Sequence, residues 1–379
     1  MRRHRKGGHK QVAESECANR TGFCATAMGC FLSTESEANP GERSLTPAAH
    51  PVAAIQVFGY EQVVSSIQVG DCLEAVENVF KMLAEGKVEV PMPMHIGVEA
   101  VGSAGPGDCH IKGGYVLGNE TFTVKMATVS FYKNGDRGLP PGSGIFCVMS
   151  AVTGMPLAVF QENRYLTDLR TGAAAAIAFK HLTKKGVEPP AVAFLGIGKI
   201  GEVIARACAA VGTFHGYAYA RTPGKAQAFC DQMSATLNLK FTACATAEEA
   251  CGQADCIMTS TPGKSTVLEL GWLRPHCTIV ATGSDQPTKQ EIPVDVIAKA
   301  KYIPDLVKQT SKVGELRSAL DAGVVTANHV HGELGEVLLG RKAGRVGDEL
   351  IVVDLTGTGA QDAAVGQVAW NKLGNALSA

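Results

Sequence analysis

The spacing of apolar residues changes character along the chain. Over residues 72–86 they recur at helical intervals (Leu73, Val76, Val79, Phe80, Leu83), which predicts a helix with one buried face. Short β-rich runs follow at 110–117, 122–132, 145–152 and 157–160. They are divided by Gly118-Asn119, Asn134-Gly135 and Pro140-Pro141-Gly142. Gly, Asn and Pro supply the backbone angles that turns require, so these runs predict strands. Residues 168–182 are Ala-rich and predict a helix.

From about Pro190 the order becomes regular. Strand patterns at 192–195, 216–220, 256–260, 278–282 and 302–304 alternate with helical stretches, among them 200–211 and 224–237. This βαβ rhythm predicts a doubly wound parallel sheet, a Rossmann domain at 186–324. Helical runs at 313–322 and 333–339 then precede a strand at 350–354 and an amphipathic helix at 361–377. The tail is expected to return to the first domain. The reading is α/β: the Rossmann domain plus a discontinuous α+β domain, 52–185 completed by 325–379.

The first fifty residues have no such period and open on Arg2, Arg3, His4, Arg5 and Lys6. They read as a disordered extension, residues 1–51. Within it, Met28-Gly29-Cys30-Phe31-Leu32-Ser33 fits a myristoylation signal beside a palmitoylatable Cys, which matters only if translation starts at Met28. Elsewhere the composition is that of a soluble globular protein, 45% hydrophobic and 19% charged. A net charge of -1 gives no reason to expect nucleic acid or a charged membrane surface as partner. No apolar run reaches the about 18 residues of a membrane span. Twelve Cys without a CxxC or zinc-ligand spacing read as reduced thiols in the cytoplasm, with no metal expected.

Candidate chemistry starts at Gly196-Ile197-Gly198-Lys199-Ile200-Gly201, which follows a strand pattern and opens a helix. In that context Gly196 permits a tight turn, and Gly198 lets the backbone approach a pyrophosphate. Gly201 lets helix and strand pack closely, and the helix N-terminus favours the anion. An NAD site usually carries an acid about 20 residues on, on the ribose 2′-OH. Here the stretch reads Tyr219-Ala220-Arg221-Thr222-Pro223-Gly224-Lys225. Arg221 and Lys225 would attract a 2′-phosphate, so NADP is expected over NAD; as solvated surface charges they would select neither. Thr222, Thr261 and Leu355 complete the cofactor-binding candidates.

Five ordered segments resemble the ornithine cyclodeaminase/mu-crystallin family. They are Phe122-Thr123-Val124-Lys125-Met126-Ala127, Leu166-Thr167-Asp168-Leu169-Arg170-Thr171-Gly172, Gly283-Ser284-Asp285-Gln286-Pro287-Thr288-Lys289, Glu333-Leu334-Gly335-Glu336-Val337, and Asp354-Leu355-Thr356-Gly357-Thr358-Gly359-Ala360-Gln361-Asp362. The resemblance runs from about residue 55 to the end. It implies an NAD(P)-dependent enzyme of small amino or imino acids, with the first domain binding substrate and forming a homodimer through a shared sheet or barrel. His110-Ile111-Lys112-Gly113-Gly114-Tyr115 looks closest to the ectoine-catabolic and iminosuccinate-reductase branches. By the resemblance Lys125 and Arg170 would hold the substrate α-carboxylate, and Asp285 would be the acid/base group. Arg is a planar fork for a carboxylate, and Lys a compact charge that can polarise an imine. Asp285 would otherwise brace a turn, Lys125 lie on the surface, and Arg170 pair with Asp168, two residues away on the helix and facing elsewhere.

One position departs from the family. His95, in Pro91-Met92-Pro93-Met94-His95-Ile96, stands where many members carry a further carboxylate-binding Arg. It is either a substrate ligand or a core histidine, and Lys112 could supply the missing positive charge. Lys112, Lys125 and Arg170 together would suit a dicarboxylic imine. The activity expected is hydride transfer to or from the α-carbon, of alanine dehydrogenase or imino acid reductase type. The alternatives are an ornithine cyclodeaminase and a non-catalytic crystallin-like protein that binds NADP or a small ligand.

Overall fold

The computed structural model describes residues 54–374 except 187–188 and 263–264. The expected extension, its anchor signal at Met28 and the end of the last helix lie outside the described residues. The first part of the chain holds helices α1 (Tyr60–Ser66) and α2 (Val69–Ala84). Its strands are β1 (Gln56–Phe58), β2 (Val88–Glu89), β3 (Met94–Val98), β4 (Gly107–Val116), β5 (Thr121–Val129), β6 (Gly144–Ser150) and β7 (Pro156–Gln161). Helix α3 (Tyr165–Leu182) then leads into alternation: β8 (Ala191–Leu195), α4 (Lys199–Val211), β9 (His215–Tyr219), α5 (Lys225–Leu237), β10 (Phe241–Ala243), α6 (Ala247–Gln253), β11 (Cys256–Thr259), β12 (Thr278–Ala281), α7 (Val294–Lys299) and β13 (Lys301–Pro304). The chain continues through α8 (Val307–Val313), α9 (Glu315–Asp321), α10 (Leu334–Leu338), β14 (Ile351–Asp354) and α11 (Gly359–Ala369).

Two sheets result. The first runs β1-β7-β6-β5-β4-β2, with β3 also on β4; all its pairs are antiparallel except β1 with β7. The second is wholly parallel, in the order β10-β9-β8-β11-β12-β14-β13. The turn from β10 through β8 to β11 is the doubly wound reversal, which puts a crevice at the strands' carboxyl ends.

The tail divides instead of returning whole to the first sheet. Strand β14 enters the second sheet between β12 and β13. Its Ile351-Val352-Val353-Asp354 is buried throughout, and an apolar run hidden on both faces belongs inside a parallel sheet with helices above and below. Only α11 goes back. It is not amphipathic, because it is wedged against β4, β5, α2 and α3, with nine of its eleven residues buried. Small residues make the fit possible. A methyl group on Gly359 would overlap the Gly113 carbonyl, and one on Gly366 the Thr123 side chain.

Alternation along β4 and β5 sorts side chains onto two faces. His110, Lys112 and Lys125 are buried on the inner face, under α11. Ile111, Val124 and Met126 occupy the outer face and are partly exposed, and Met94, Ile96 and Val57 extend it with 58%, 47% and 60% exposure. That outer face is an apolar surface the described chain leaves uncovered.

Candidate active site

The glycine turn after β8 has the shape a diphosphate needs. Gly196 sits at φ +114°, where a side chain would strain the backbone and a methyl would come within 2.7 Å of the Ser260 carbonyl carbon. A methyl on Gly201 would overlap the Gly196 carbonyl. Around Gly198, the N-cap of α4, a methyl would meet nothing within 4 Å. That open cradle lies before a helix whose first turn has no side-chain cap, so its N–H groups face the space. Ile197 and Ile200 pack partly against the core. Lys199 is exposed and lies 3.6 Å from Glu202. Arg221, Thr222 and Lys225 are exposed just past the carboxyl end of β9. Thr261 follows β11, with its N–H donated to Glu291 at 2.6 Å. Leu355 is packed in the core, and its N–H goes to the Ala281 carbonyl at 2.9 Å.

Three cations converge on the inner face of the first sheet. Lys112 and Lys125 stand directly opposite each other across β4 and β5, and both are buried. Arg170 reaches in from α3. Lys125 Nζ donates to Asp362 Oδ1 at 3.0 Å, and Arg170 Nε lies 3.4 Å from the same oxygen. Lys125 is therefore neither on the surface nor unpaired. Arg170 does not pair with Asp168, which lies 3.4 Å from Arg164 instead. Lys112 has no carboxylate partner among the described residues. Its Nζ donates to the Gly357 carbonyl at 2.7 Å and the Thr356 carbonyl at 3.2 Å.

The electrostatics follow from burial and from these neighbours. Burial and the two nearby cations, Lys125 and Arg170, bring the Lys112 ammonium down to about 8. Burial lowers Lys125 too, opposed by Asp362. Burial works against the charge on Asp362, but Lys125, Arg170 and Lys112 outweigh it and hold the carboxyl below its ordinary range. The sequence reading passed over Asp362, although the residue closes a quoted motif. The signal was the one charged residue in a helix of small, apolar and amide residues, where a buried carboxylate must have a cation.

Asp285 lies in the loop after β12, at the carboxyl edge of the parallel sheet. Its Oδ1 accepts from Lys289 at 2.7 Å, and its Oδ2 lies 3.9 Å from His110 Nδ1. Gln286 Nε2 lies 3.0 Å from His110 Nε2 and 3.4 Å from Asp108 Oδ2. An amide NH₂ can only donate, so His110 Nε2 accepts and Nδ1 carries the hydrogen, on the side of Asp285. Burial lowers His110 to about 4, against the pull of Asp285, so the ring is neutral near neutral pH. Burial alone would raise Asp285, but Lys289, Lys112 and His110 hold it well below the carboxylate range. A carboxylate so held can bind and stabilise a cation but does not carry a proton to donate near neutral pH.

His95 is not a core histidine. It is exposed on β3, with Nε2 3.0 Å from Asp108 Oδ1 and its ring 5.0 Å from that of His110. The structure thus places it at the rim beside His110 and Gln286, while Lys112, Lys125, Arg170 and Asp362 form the floor. Glu291 is a further residue the sequence reading missed. Fully buried, it accepts from Thr259 Oγ1 at 2.7 Å, Thr261 N–H at 2.6 Å and Gly283 N–H at 2.9 Å. One carboxylate thereby ties the loop after β11 to the loop that carries Asp285.

A sequence profile of the ornithine cyclodeaminase/mu-crystallin family matches residues 56–375. The chain belongs to this family. The match spans both sheets, the glycine turn and every residue of the floor. Among relatives, the alanine dehydrogenase of Archaeoglobus fulgidus is 32% identical over 327 residues, covering 85% of this chain and 95% of its own. A solved archaeal alanine dehydrogenase dimer with bound NAD superposes with a TM-score of 0.78 at 31% identity, covering 86% of this chain and 96% of that one. The iminosuccinate reductase of Paracoccus denitrificans in complex with NAD+ superposes with a TM-score of 0.77 at 27% identity, covering 85% and 97%. As a member of this family the chain has a Rossmann sheet whose glycine turn and acidic loop open at one edge. The cationic floor is supplied by the other sheet and by α3.

Proposed function

We propose that this protein is an NAD(P)-dependent oxidoreductase that moves a hydride between nicotinamide and the α-carbon of a small amino or imino acid. The observation that carries the reading is the floor of Lys112 and Lys125 on the other sheet and Arg170 on α3, together with Asp285 at the carboxyl edge of the dinucleotide-binding sheet. The nicotinamide, when bound, gives or takes the hydride. Arg170 and Lys125 bind and orient the substrate α-carboxylate, exchanging part of their pairing with Asp362 for the substrate. Asp285, as the carboxylate, holds the substrate nitrogen and stabilises positive charge there.

The floor of Lys112, Lys125 and Arg170 as a set favours a second carboxylate over a second amine. Its cations repel the side-chain amine that a cyclodeaminase must accommodate and suit a dicarboxylic imine. At the other end of the site, the absence of an acid after β9 and the exposed Arg221 and Lys225 favour NADP over NAD.

The test is a scan at 340 nm of NADPH or NADH with pyruvate, glyoxylate and oxaloacetate plus ammonia, and with cyclic imines. Ornithine, alanine and aspartate are run with NADP+ or NAD+. Cofactor turnover, fastest with the dicarboxylic imine, is the expected result; ammonia released from ornithine without net cofactor change would replace the reading with a cyclodeaminase. A silent trace in every assay would leave a ligand-binding protein. In the same assay Arg221→Ala raises KM for NADPH by about 10–100-fold, the equivalent of one lost charged hydrogen bond of about 1.5–3 kcal/mol, and leaves NADH unaffected. Equal loss for both cofactors would remove Arg221 from the 2′-phosphate.

The apolar outer face of the first sheet supports a homodimer built on that sheet, since a surface of this kind marks an interface. Sedimentation should give twice the chain mass for the native protein and a monomer for Met126→Lys. A native protein that sediments as a monomer would reject the interface. The nine free Cys among the described residues suit a reducing compartment, the cytoplasm.

A further inference from the structure

Within this site one group is set apart by its hydrogen bonds. Lys112 and Lys125 face each other directly across two strands, a like-charge pairing that favours neutrality for one of them. Lys125 has Asp362 at 3.0 Å, whereas Lys112 has only the Thr356 and Gly357 carbonyls. Lys112 is therefore the one that can lose its charge. The two carbonyls are suited to that change. A neutral amine donates its two hydrogens to them and keeps its lone pair free, while an ammonium donates the same two and presents a third hydrogen in the same direction. Proton exchange at Nζ thus breaks no hydrogen bond to the protein. A lysine desolvated beside another cation is also how proteins prepare amines that work near neutral pH.

We propose that Lys112 is the catalytic residue that exchanges a proton with the substrate nitrogen. The inference rests on the oxidoreductase reading and deepens it, leaving Asp285 to hold the nitrogen as a carboxylate. In the reductive direction the α-carbon of a neutral imine gains the hydride and its two electrons from the reduced nicotinamide. The C=N π pair ends on nitrogen, which takes a proton from Lys112 Nζ, so one N–H bond breaks and one forms. Lys112 is left neutral and recovers its proton from solvent. The oxidative direction reverses each transfer, with neutral Lys112 as base.

The charged groups around Nζ act in opposite senses. Burial drives the proton off, as do Lys125 on β5 and Arg170 on α3, while Asp285, Asp362 and Asp305, which sits behind the Thr356–Gly357 turn, hold it on. The balance falls at about 8. Because that value lies below the ordinary lysine range, the acid form prevails below it and the base form above it. Reductive kcat should accordingly fall as pH rises through about 8, and oxidative kcat should rise there.

The experiment uses full-length protein with the substrate selected by the 340 nm scan. Lys112→Met is expected to lower kcat by about 10²–10⁴-fold and to abolish the limb near 8, with the dinucleotide Kd changed by less than about threefold. Lys112→Arg, which keeps the charge but cannot titrate in this range, should not restore kcat. A second readout needs neither turnover nor a variant. Succinate binding followed by calorimetry in two buffers of different ionisation heat, about half a unit above that limb, should show proton uptake as the anion re-protonates Lys112. The proposal is overturned by Lys112→Arg turning over at near the native rate, by a limb that persists in Lys112→Met, or by binding without proton uptake. If the native enzyme turns over substrate in any of these cases, the oxidoreductase reading survives. A native protein silent on every substrate overturns both.

Discussion

Asp362→Ala should cost the fold about 3–5 kcal/mol, the largest stability effect of any single change in the site. The carboxylate is fully buried and is the counterion for both Lys125 and Arg170. Removing it leaves two buried cations facing each other with Lys112 beside them, and a lone buried charge is far costlier than a missing pair. Urea melts of the ligand-free protein check this. Asp362→Asn should fall between the two, since the amide oxygen still accepts from Lys125. Formate added to the alanine variant should recover part of the loss by occupying the vacated position. A loss under about 1 kcal/mol would mean that water already reaches and screens these cations.

The second large effect falls on rate. Asp285→Asn should lower kcat by about 10²–10³-fold and leave dinucleotide affinity within about threefold. Asparagine keeps the shape of the side chain and can still accept from Lys289, so the variant removes the negative charge and little else. Fluorescence titration of NADPH separates binding from turnover. A kcat within about threefold of native would reduce Asp285 to a brace for its own loop, held by Lys289.

Much of the second sheet was legible because each βα unit is local: a strand, a turn and the helix that covers it lie within about 30 residues. The glycine turn was legible for the same reason, as the residues that shape it are consecutive. The edge strand β3 was not, although Met94, Ile96 and Val98 alternate with His95 and Gly97: the run is short, and Pro91 and Pro93 just before it read as loop. Position β14 was misassigned because nothing within its four residues says which sheet will take it; that depends on the gap between β12 and β13. The cations Lys125 and Arg170 were found through motif resemblance, but their shared partner was not, since it comes from a helix about 240 residues beyond Lys125. The link from His110 to Gln286 and Asp285 was invisible for the same reason: its members are local to two different segments and meet only when both sheets are in place. Chemistry assembled across sequence distance leaves no local pattern.

The placement of β14 has a consequence for the order in which the protein can be made. Among the named strands β13 pairs with β14, beside a single bridge from Tyr302 to Val330, and β12 reaches β13 through β14. A nascent chain that has emerged as far as α9 therefore holds five parallel neighbours in β10, β9, β8, β11 and β12 but an orphan in β13. The sheet closes only when Ile351–Asp354 leaves the ribosome, and the segment right behind it carries α11 and Asp362 to the other sheet. This segment acts as a clasp. The cationic floor receives its counterion in the same step that completes the dinucleotide sheet, so a chain stopped short of it has neither.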